Sequence, residues 1–207
     1  MKASGKITTL FVDIGGVLLT DGWSLDSRQK AAATFKLDWQ DLEKRHHQAF
    51  DTYETGKLRL EDYLDHMVFH QPRAFTPVAF QRFMFAQSKA FPQMIALIRG
   101  LKAKHGLKIL VVSNEGRELN AHRIRKFKLN GFVDAFISSC FVHLRKPDPD
   151  IFHLALDVAQ VPVHQVLYLE NTPMFTAVAV GLGIRSLLHT DLASTRRDLA
   201  SLGLKLD

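Results

Sequence analysis

The sequence predicts an α/β fold: a three-layer core on a parallel sheet, with an all-helical block inserted after the first strand. Three observations carry this. Residues 7–12, ITTLFV, form a β-branched and aromatic run that ends on Asp13 and a glycine pair, Gly15-Gly16, as a buried strand running into a tight loop does. From residue 91 onward, short apolar runs alternate with helical stretches of about ten residues, the pattern of strands and crossover helices. Residues 20–88 carry helical periodicity and no strand signal.

The elements follow in order. Asp26 or Ser27 can cap a helix running to Lys36, and Asp38 can cap a second running to Thr55, with Leu42, His46 and Phe50 at i, i+4, i+8 and Gly56 as its stop. A third helix covers 60–68. Thr76-Pro77 opens a fourth, the threonine capping and the proline in the first turn, and this helix carries Phe80, Phe83, Met84 and Phe85 as packed core. Then come a helix over 92–104 closed by Gly106, a buried strand over 108–113, a helix over 118–129 and a short strand over 136–139. A helix over 149–158 leads to a strand over 166–170, a helix over 175–182, a strand over 184–189 and a last helix over 192–202.

Composition sets limits. The 207 residues are 46% hydrophobic and 23% charged, those of an ordinary globular protein. A single cysteine, Cys140, excludes an internal disulfide and agrees with a reducing, cytoplasmic setting. The start of the chain shows no signal-peptide pattern, and no run reaches the roughly 18 apolar residues of a membrane helix. The net charge of +6 is uneven: residues 20–88 hold 9 Lys/Arg against 10 Asp/Glu, and the remainder 18 against 11. A basic shell favours small anionic ligands such as phosphates. The densest basic run, 122–128, lacks a nucleic-acid motif and reads as a solvated helix face, so no nucleic-acid or membrane partner is expected.

The chemistry lies at strand ends. In an open parallel sheet these ends share one side, and ligands bind in the crevice beyond them. The first strand brings Asp13 there; the second brings Ser113 and Asn114. The loop 145–149, RKPDP, brings Lys146, and the fourth strand brings Glu170, Asn171 and Thr172. Singly each has an ordinary role: Asp13, Ser113 and Asn114 as turn formers, Lys146 as a solvated cation, Glu170 as a helix cap. Their recurrence at successive edges of one sheet points to a site.

The motifs FVDIGGVLL, VVSN, RKPDPDIF and LYLENT resemble those of the haloacid dehalogenase superfamily, with RKPDPDIFHLAL the most specific piece. The resemblance spans nearly the whole chain. It implies a Rossmann-like core over 1–19 and 89–207 and a helical cap over 20–88, as in the family's subclass I. By motif, Asp13 would be the nucleophile, forming an aspartyl-phosphate that water hydrolyses. Ser113 and the Asn114 backbone N–H would hold phosphate oxygens. Lys146 would neutralise charge on the phosphate and on Asp13. Mg²⁺ would sit against Asp13, the Gly15 carbonyl and an acid or amide of Glu170-Asn171, a donor set of hard oxygens. The substrate implied is a small phosphorylated metabolite, and the reaction phosphate monoester hydrolysis.

Two positions depart from that pattern. The family's phosphatases usually carry a second acid two residues after the nucleophile, and here that residue is Gly15. General acid–base help is typically worth about 10²–10⁴ in rate. The expectation is slow turnover, biased towards leaving groups that need little protonation. The second departure is Asn171, which keeps an oxygen but drops a charge, so Mg²⁺ binding should be weak. The same losses leave two other readings open: a catalytically degenerate phosphate-binding or regulatory protein, and a 2-haloacid dehalogenase, which needs neither second acid nor metal.

Overall fold

A computed structural model describes residues 5–206 of the chain. Residues 1–4, the first part of the segment read as free of a signal peptide, and residue 207 lie outside the described range. Five parallel strands form one sheet in the order β3-β2-β1-β4-β5: β1 (Thr9–Val12), β2 (Lys108–Ser113), β3 (Ala135–Ser138), β4 (Val166–Glu170) and β5 (Arg185–Leu188). The strand carrying Asp13 is the central one. Thr9 aligns with Lys108 on one side and with Val166 on the other. The sheet is therefore the parallel one expected, and its C-terminal edge gathers the ends of β1, β2 and β4.

Side chains alternate across this sheet. Leu10, Val12, Ile109, Val111, Leu167 and Leu169 pack on one face, against α5 (Pro92–His105) and α10 (Leu192–Ser201). Phe11, Leu110, Val112 and Tyr168 pack on the other, against α8 (Asp150–Ala159) and α9 (Pro173–Gly181). Both faces are covered, which is why β1, β2 and β4 read as unbroken apolar runs rather than alternating ones.

Between β1 and α5 lie α1 (Leu25–Phe35), α2 (Trp39–Glu54), α3 (Leu60–Met67) and α4 (Pro77–Ala86). Asp38 caps α2 and Thr76 caps α4, each accepting from a backbone N–H, and Pro77 sits in the first turn. The cap of α1 is Ser24, ahead of the Asp26 or Ser27 expected; its hydroxyl accepts from Ser27 N. The four helices have their own apolar cluster, built on Trp23, Phe80, Tyr53, Tyr63 and Met84. Among the described residues one side chain from outside the insert joins that cluster, Leu119 of α6 (Arg117–Lys126). That helix stops at Lys126 rather than 129, and Leu129–Gly131 forms a separate 3₁₀ turn. A four-residue helix, α7 (Ser139–Val142), follows β3 where the sequence offered no helical signal. No helix among the described residues is long and apolar enough to cross a membrane.

Candidate active site

Asp13 continues β1 by one residue, its N–H donating to Leu169 O of β4 at 3.0 Å. That bond fixes the side chain at the sheet edge, buried to 7% exposure. The RKPDP loop brings Lys146 to the same point. Its ammonium is 1% exposed and has three donors, and all three are used: Asp13 Oδ1 at 3.0 Å, Glu170 Oε2 at 2.6 Å and Tyr168 OH at 3.1 Å. The ring of Phe175 lies 4.8 Å below it. The Asn114 side chain holds the backbone of Lys146 at both ends, accepting from its N–H at 2.8 Å and donating to its carbonyl at 2.9 Å. Asn114 thus aims the lysine through its side chain as well as facing the pocket.

These charges shift one another. Burial pushes the Asp13 carboxyl up, to about 7; Lys146 pulls it down, the Glu170 carboxylate adds to the rise, and the neighbouring Ser113 hydroxyl opposes it. Burial also works against the Lys146 ammonium, but Asp13 and Glu170 outweigh it and hold the ammonium above its ordinary value. Ser113 is 1% exposed and donates to Glu115 Oε1 at 3.3 Å.

The sequence reading puts Glu170 among the metal ligands beside Asn171; in the structure its carboxylate turns inward. It is fully buried and its oxygens are occupied. One accepts from Lys146 and from the Tyr168 hydroxyl; the other accepts from the backbone N–H groups of Asn171 and Thr172 at 3.0 and 2.9 Å. The reason is that Glu170 ends β4 while the chain turns into α9, so its carboxylate meets the free amides of that turn. Glu170 holds Lys146 in place, and Asn171 is the residue of this pair that faces the pocket.

The hydrogen-bond pattern assigns the Asn171 amide with its nitrogen 3.1 Å from Gly15 O and 2.9 Å from Glu170 Oε1. Gly16 permits this. It has φ +71°, and a Cβ there would fall 2.0 Å from the outer atom of the Asn171 amide, the oxygen in this orientation. Asp13, Gly15 O and Asn171 therefore share one corner of the site.

Above them opens a cavity of about 390 Å³. The sheet edge supplies its floor; Trp23, Phe50, Tyr53 and Glu54 line it from the helical insert. Three arginines border it and each is paired. Arg28 makes two bonds to Glu43, both 2.7 Å, and a third to Trp23 O. Arg123 binds Glu115 at 2.6 Å, and Arg145 binds Glu54 at 2.6 Å and Asp51 at 2.8 Å. The last two contacts tie the RKPDP loop to the end of α2.

Sequence reasoning missed two residues here. Tyr168 is a strand residue whose hydroxyl reaches Lys146, and nothing in an apolar run marks it. Asp21 lines the cavity beside Asp13, and no fixed spacing predicts it. Partial burial pushes its carboxyl above the usual range against the pull of Arg123. The histidines of the helical insert stay apart from the site. Glu43, His46 and His47 approach one another, but the Glu43 carboxylate is taken by Arg28. His66 bonds Gln48 and His70 lies against Asp41.

Comparison with known proteins matches the family model for haloacid dehalogenase-like hydrolases over residues 7–174. A stretch of 83 residues is 28% identical to the putative pyrophosphatase PpaX of Caldanaerobacter subterraneus, covering 40% of this chain and 38% of that protein. The chain spans less than half the length of the curated relatives it matches. Among solved structures, the magnesium complex of the HAD family enzyme BT-2542 of Bacteroides thetaiotaomicron superposes with TM-score 0.78 at 17% identity, over 93% of this chain and all of that one. L-2-haloacid dehalogenase of Xanthobacter autotrophicus superposes with TM-score 0.63 at 16% identity, over 94% and 83%. At these identities the structural likeness is one of fold. The family match covers four-fifths of the sequence and every strand-end motif on β1, β2 and β4, and by it this chain belongs to the haloacid dehalogenase-like hydrolases.

Proposed function

We propose that the protein hydrolyses the phosphate ester of a small metabolite, with Asp13 as nucleophile and the helical insert, residues 20–88, as a cap over the site. The observation that carries this reading is the buried Lys146 ammonium held 3.0 Å from the Asp13 carboxylate on the floor of an enclosing cavity. The pair places a nucleophilic oxygen and a fixed positive charge where a phosphoryl group would sit, and phosphoryl transfer depends chiefly on such positioning and charge. Glu170, Tyr168 and Asn114 hold the lysine so that it need not reorganise during the reaction. Asn114 lines the cavity and its backbone N–H would bind a phosphate oxygen; Ser113, buried beside it with its hydroxyl on Glu115, would bind another on turning from that carboxylate.

A haloacid substrate would bring a carboxylate and no phosphoryl charge. The three arginines bordering the cavity are each engaged with a carboxylate of the protein, which favours the phosphate ester. The relative PpaX bears the name of a pyrophosphatase, and BT-2542 has been solved with magnesium and inorganic phosphate; both support a phosphorylated substrate.

The residues fit Mg²⁺ in kind. The Asp13 carboxylate and the Gly15 carbonyl are hard oxygen donors in one corner; the Asn171 amide, whose nitrogen faces Gly15 O, would turn over to bring its oxygen there, and these three would hold the ion. Bound there, it would add positive charge to the phosphate. Only Asp13 brings a formal charge, so binding should be weak, and Asn171→Asp should tighten it by about tenfold or more, ~1.4 kcal/mol in a calorimetric titration. Unchanged affinity would remove Asn171 from the donor set.

The test of the function is phosphate release from a panel of phosphorylated metabolites, with Mg²⁺ and with EDTA, beside Asp13→Asn. Turnover that needs Mg²⁺ and disappears in the variant is expected. Phosphate binding without turnover across the panel would favour a binding protein, and chloride release from 2-haloacids would favour a dehalogenase.

A further inference from the structure

Gly15 leaves the site without a side chain at the position two residues after the nucleophile, and the fold fills that space from elsewhere. After Asp13 the chain makes one tight turn. Leu18 N and Leu19 N both donate to Ile14 O, at 3.0 and 2.9 Å, and Gly16 N donates to Leu19 O at 2.7 Å. This turn brings residue 21 back over residue 15. A Cβ built on Gly15 would lie 3.1 Å from Asp21 Oδ1 and 3.9 Å from Asp13 Oδ2. The Asp21 carboxylate therefore stands where the end of a short side chain on Gly15 would stand, and it faces the same cavity as Asp13 and Lys146.

Its backbone is held firmly. Thr20 N donates to Lys89 O at 2.9 Å, and the Thr20 hydroxyl donates to Gln87 O at 2.9 Å. The Arg123 guanidinium donates to Thr20 O, while its charge is paired with Glu115 and not with Asp21. On the far side Trp23 N donates to Asp21 O at 2.9 Å, and Gly22 takes the left-handed conformation, φ +73°, that closes the turn. Arg123 is 2% exposed, so the anchor beneath the loop is part of the core.

We propose that Asp21 is a catalytic residue of the hydrolysis, giving a proton to the leaving oxygen and then taking one from the attacking water. The proposal rests on the phosphatase reading above. In the first step an Asp13 oxygen bonds to phosphorus and the bond from phosphorus to the leaving oxygen breaks. The electron pair stays on that oxygen, which takes the Asp21 proton and departs as the alcohol. In the second step water attacks phosphorus and gives its proton to the Asp21 carboxylate. The bond to Asp13 then breaks and inorganic phosphate leaves. An alkoxide is a poor leaving group without such a proton, whereas a nitrophenolate leaves readily. With Asp21 in this role the expected bias towards leaving groups that need little protonation gives way: substrates with alcohol leaving groups are within reach.

The test compares an alkyl phosphate with p-nitrophenyl phosphate in wild type, Asp21→Asn and Asp13→Asn. Asp21→Asn should lower turnover of the alkyl ester by about 10²–10⁴-fold and that of p-nitrophenyl phosphate far less. Adding Gly15→Asp to Asp21→Ala, which empties that space, should restore much of the alkyl ester rate lost in Asp21→Ala, since the new carboxylate can take the vacated place. Asp13→Asn should abolish both activities. Equal losses on the two substrates, or no loss on either, would overturn the role of Asp21 while leaving the nucleophile in place. A wild-type protein inert towards both would overturn the phosphatase reading and this proposal with it.

Discussion

The sheet edge and the helical insert meet across one cavity and are held together by different physics. At the edge the contacts are directional and charged: Lys146 spends its three donors on Asp13, Glu170 and Tyr168, and the second Glu170 oxygen is spent on backbone amides. In the insert the contacts are mostly aromatic. Phe35, Phe75 and Phe80 pack with ring centroids 4.5 to 6.1 Å apart, and Trp23 meets Phe80 edge-on at 5.9 Å. One buried polar chain there runs from Trp23 Nε1 to the Tyr63 hydroxyl to His46 Nδ1, at 2.9 and 2.7 Å. The edge tolerates no change of charge, because an unpaired ion would be left in a dry place. The insert tolerates changes of chemistry but not of volume.

The largest effect expected is at the edge. Lys146→Ala strands the carboxylates of Asp13 and Glu170 and should cost about 3–5 kcal/mol in denaturant unfolding, with activity lost. A loss below about 1 kcal/mol would mean that the cavity hydrates the pair well enough to dispense with the lysine. Phe80→Ala in the insert should cost about 3 kcal/mol by leaving a cavity among Phe35, Phe75 and Trp23. Asp13 and Lys146 are untouched by it, so substrate affinity should suffer more than the chemical step. A selective fall in kcat, with KM unchanged, would break the division between the two regions.

The smallest effect is one of pH and sits in the insert. Burial, helped by the Arg28 charge, holds His46 neutral and pushes its pKa down to about 3. The unfolded chain takes up a proton below about 6.5, whereas the folded chain does not until near 3. Stability should therefore fall as the pH drops through this window, by about 1 kcal/mol per unit from this group. His46→Asn should be less stable at neutral pH but show a flatter slope between pH 6 and pH 5, measured by urea unfolding. An unchanged slope would assign the acid sensitivity elsewhere.

The same contrast explains what could be read in the sequence. Asp13, Asn114 and Asn171 were legible because each sits just past a strand end, and a parallel sheet collects its ends on one side; Lys146 was legible from the RKPDP loop that carries it. The insert's helices were legible from period and from the caps Asp38 and Thr76. What was not legible depends on direction or on return of the chain. Strand position says that Glu170 is at the edge but not that its carboxylate turns to Lys146 and the α9 amides. Ser24 caps α1 in preference to Asp26 because the chain leaves the turn at Trp23 already extended, with Ser24 at φ −68° and ψ 171°. Asp21 reaches Gly15 through the one-turn reversal between them, a three-dimensional proximity that six residues of sequence do not display.

The most direct measurement of the account is chemical. Protein mixed with p-nitrophenyl phosphate and Mg²⁺, quenched in acid within the first turnovers and digested, should yield one phosphorylated peptide. It should contain Asp13 and be missing from Asp13→Asn. A phosphoryl group on any other residue, or phosphate released by wild type with no protein-bound intermediate, would contradict an aspartyl-phosphate at Asp13 and with it the reading of the sheet edge as a nucleophile held by its lysine.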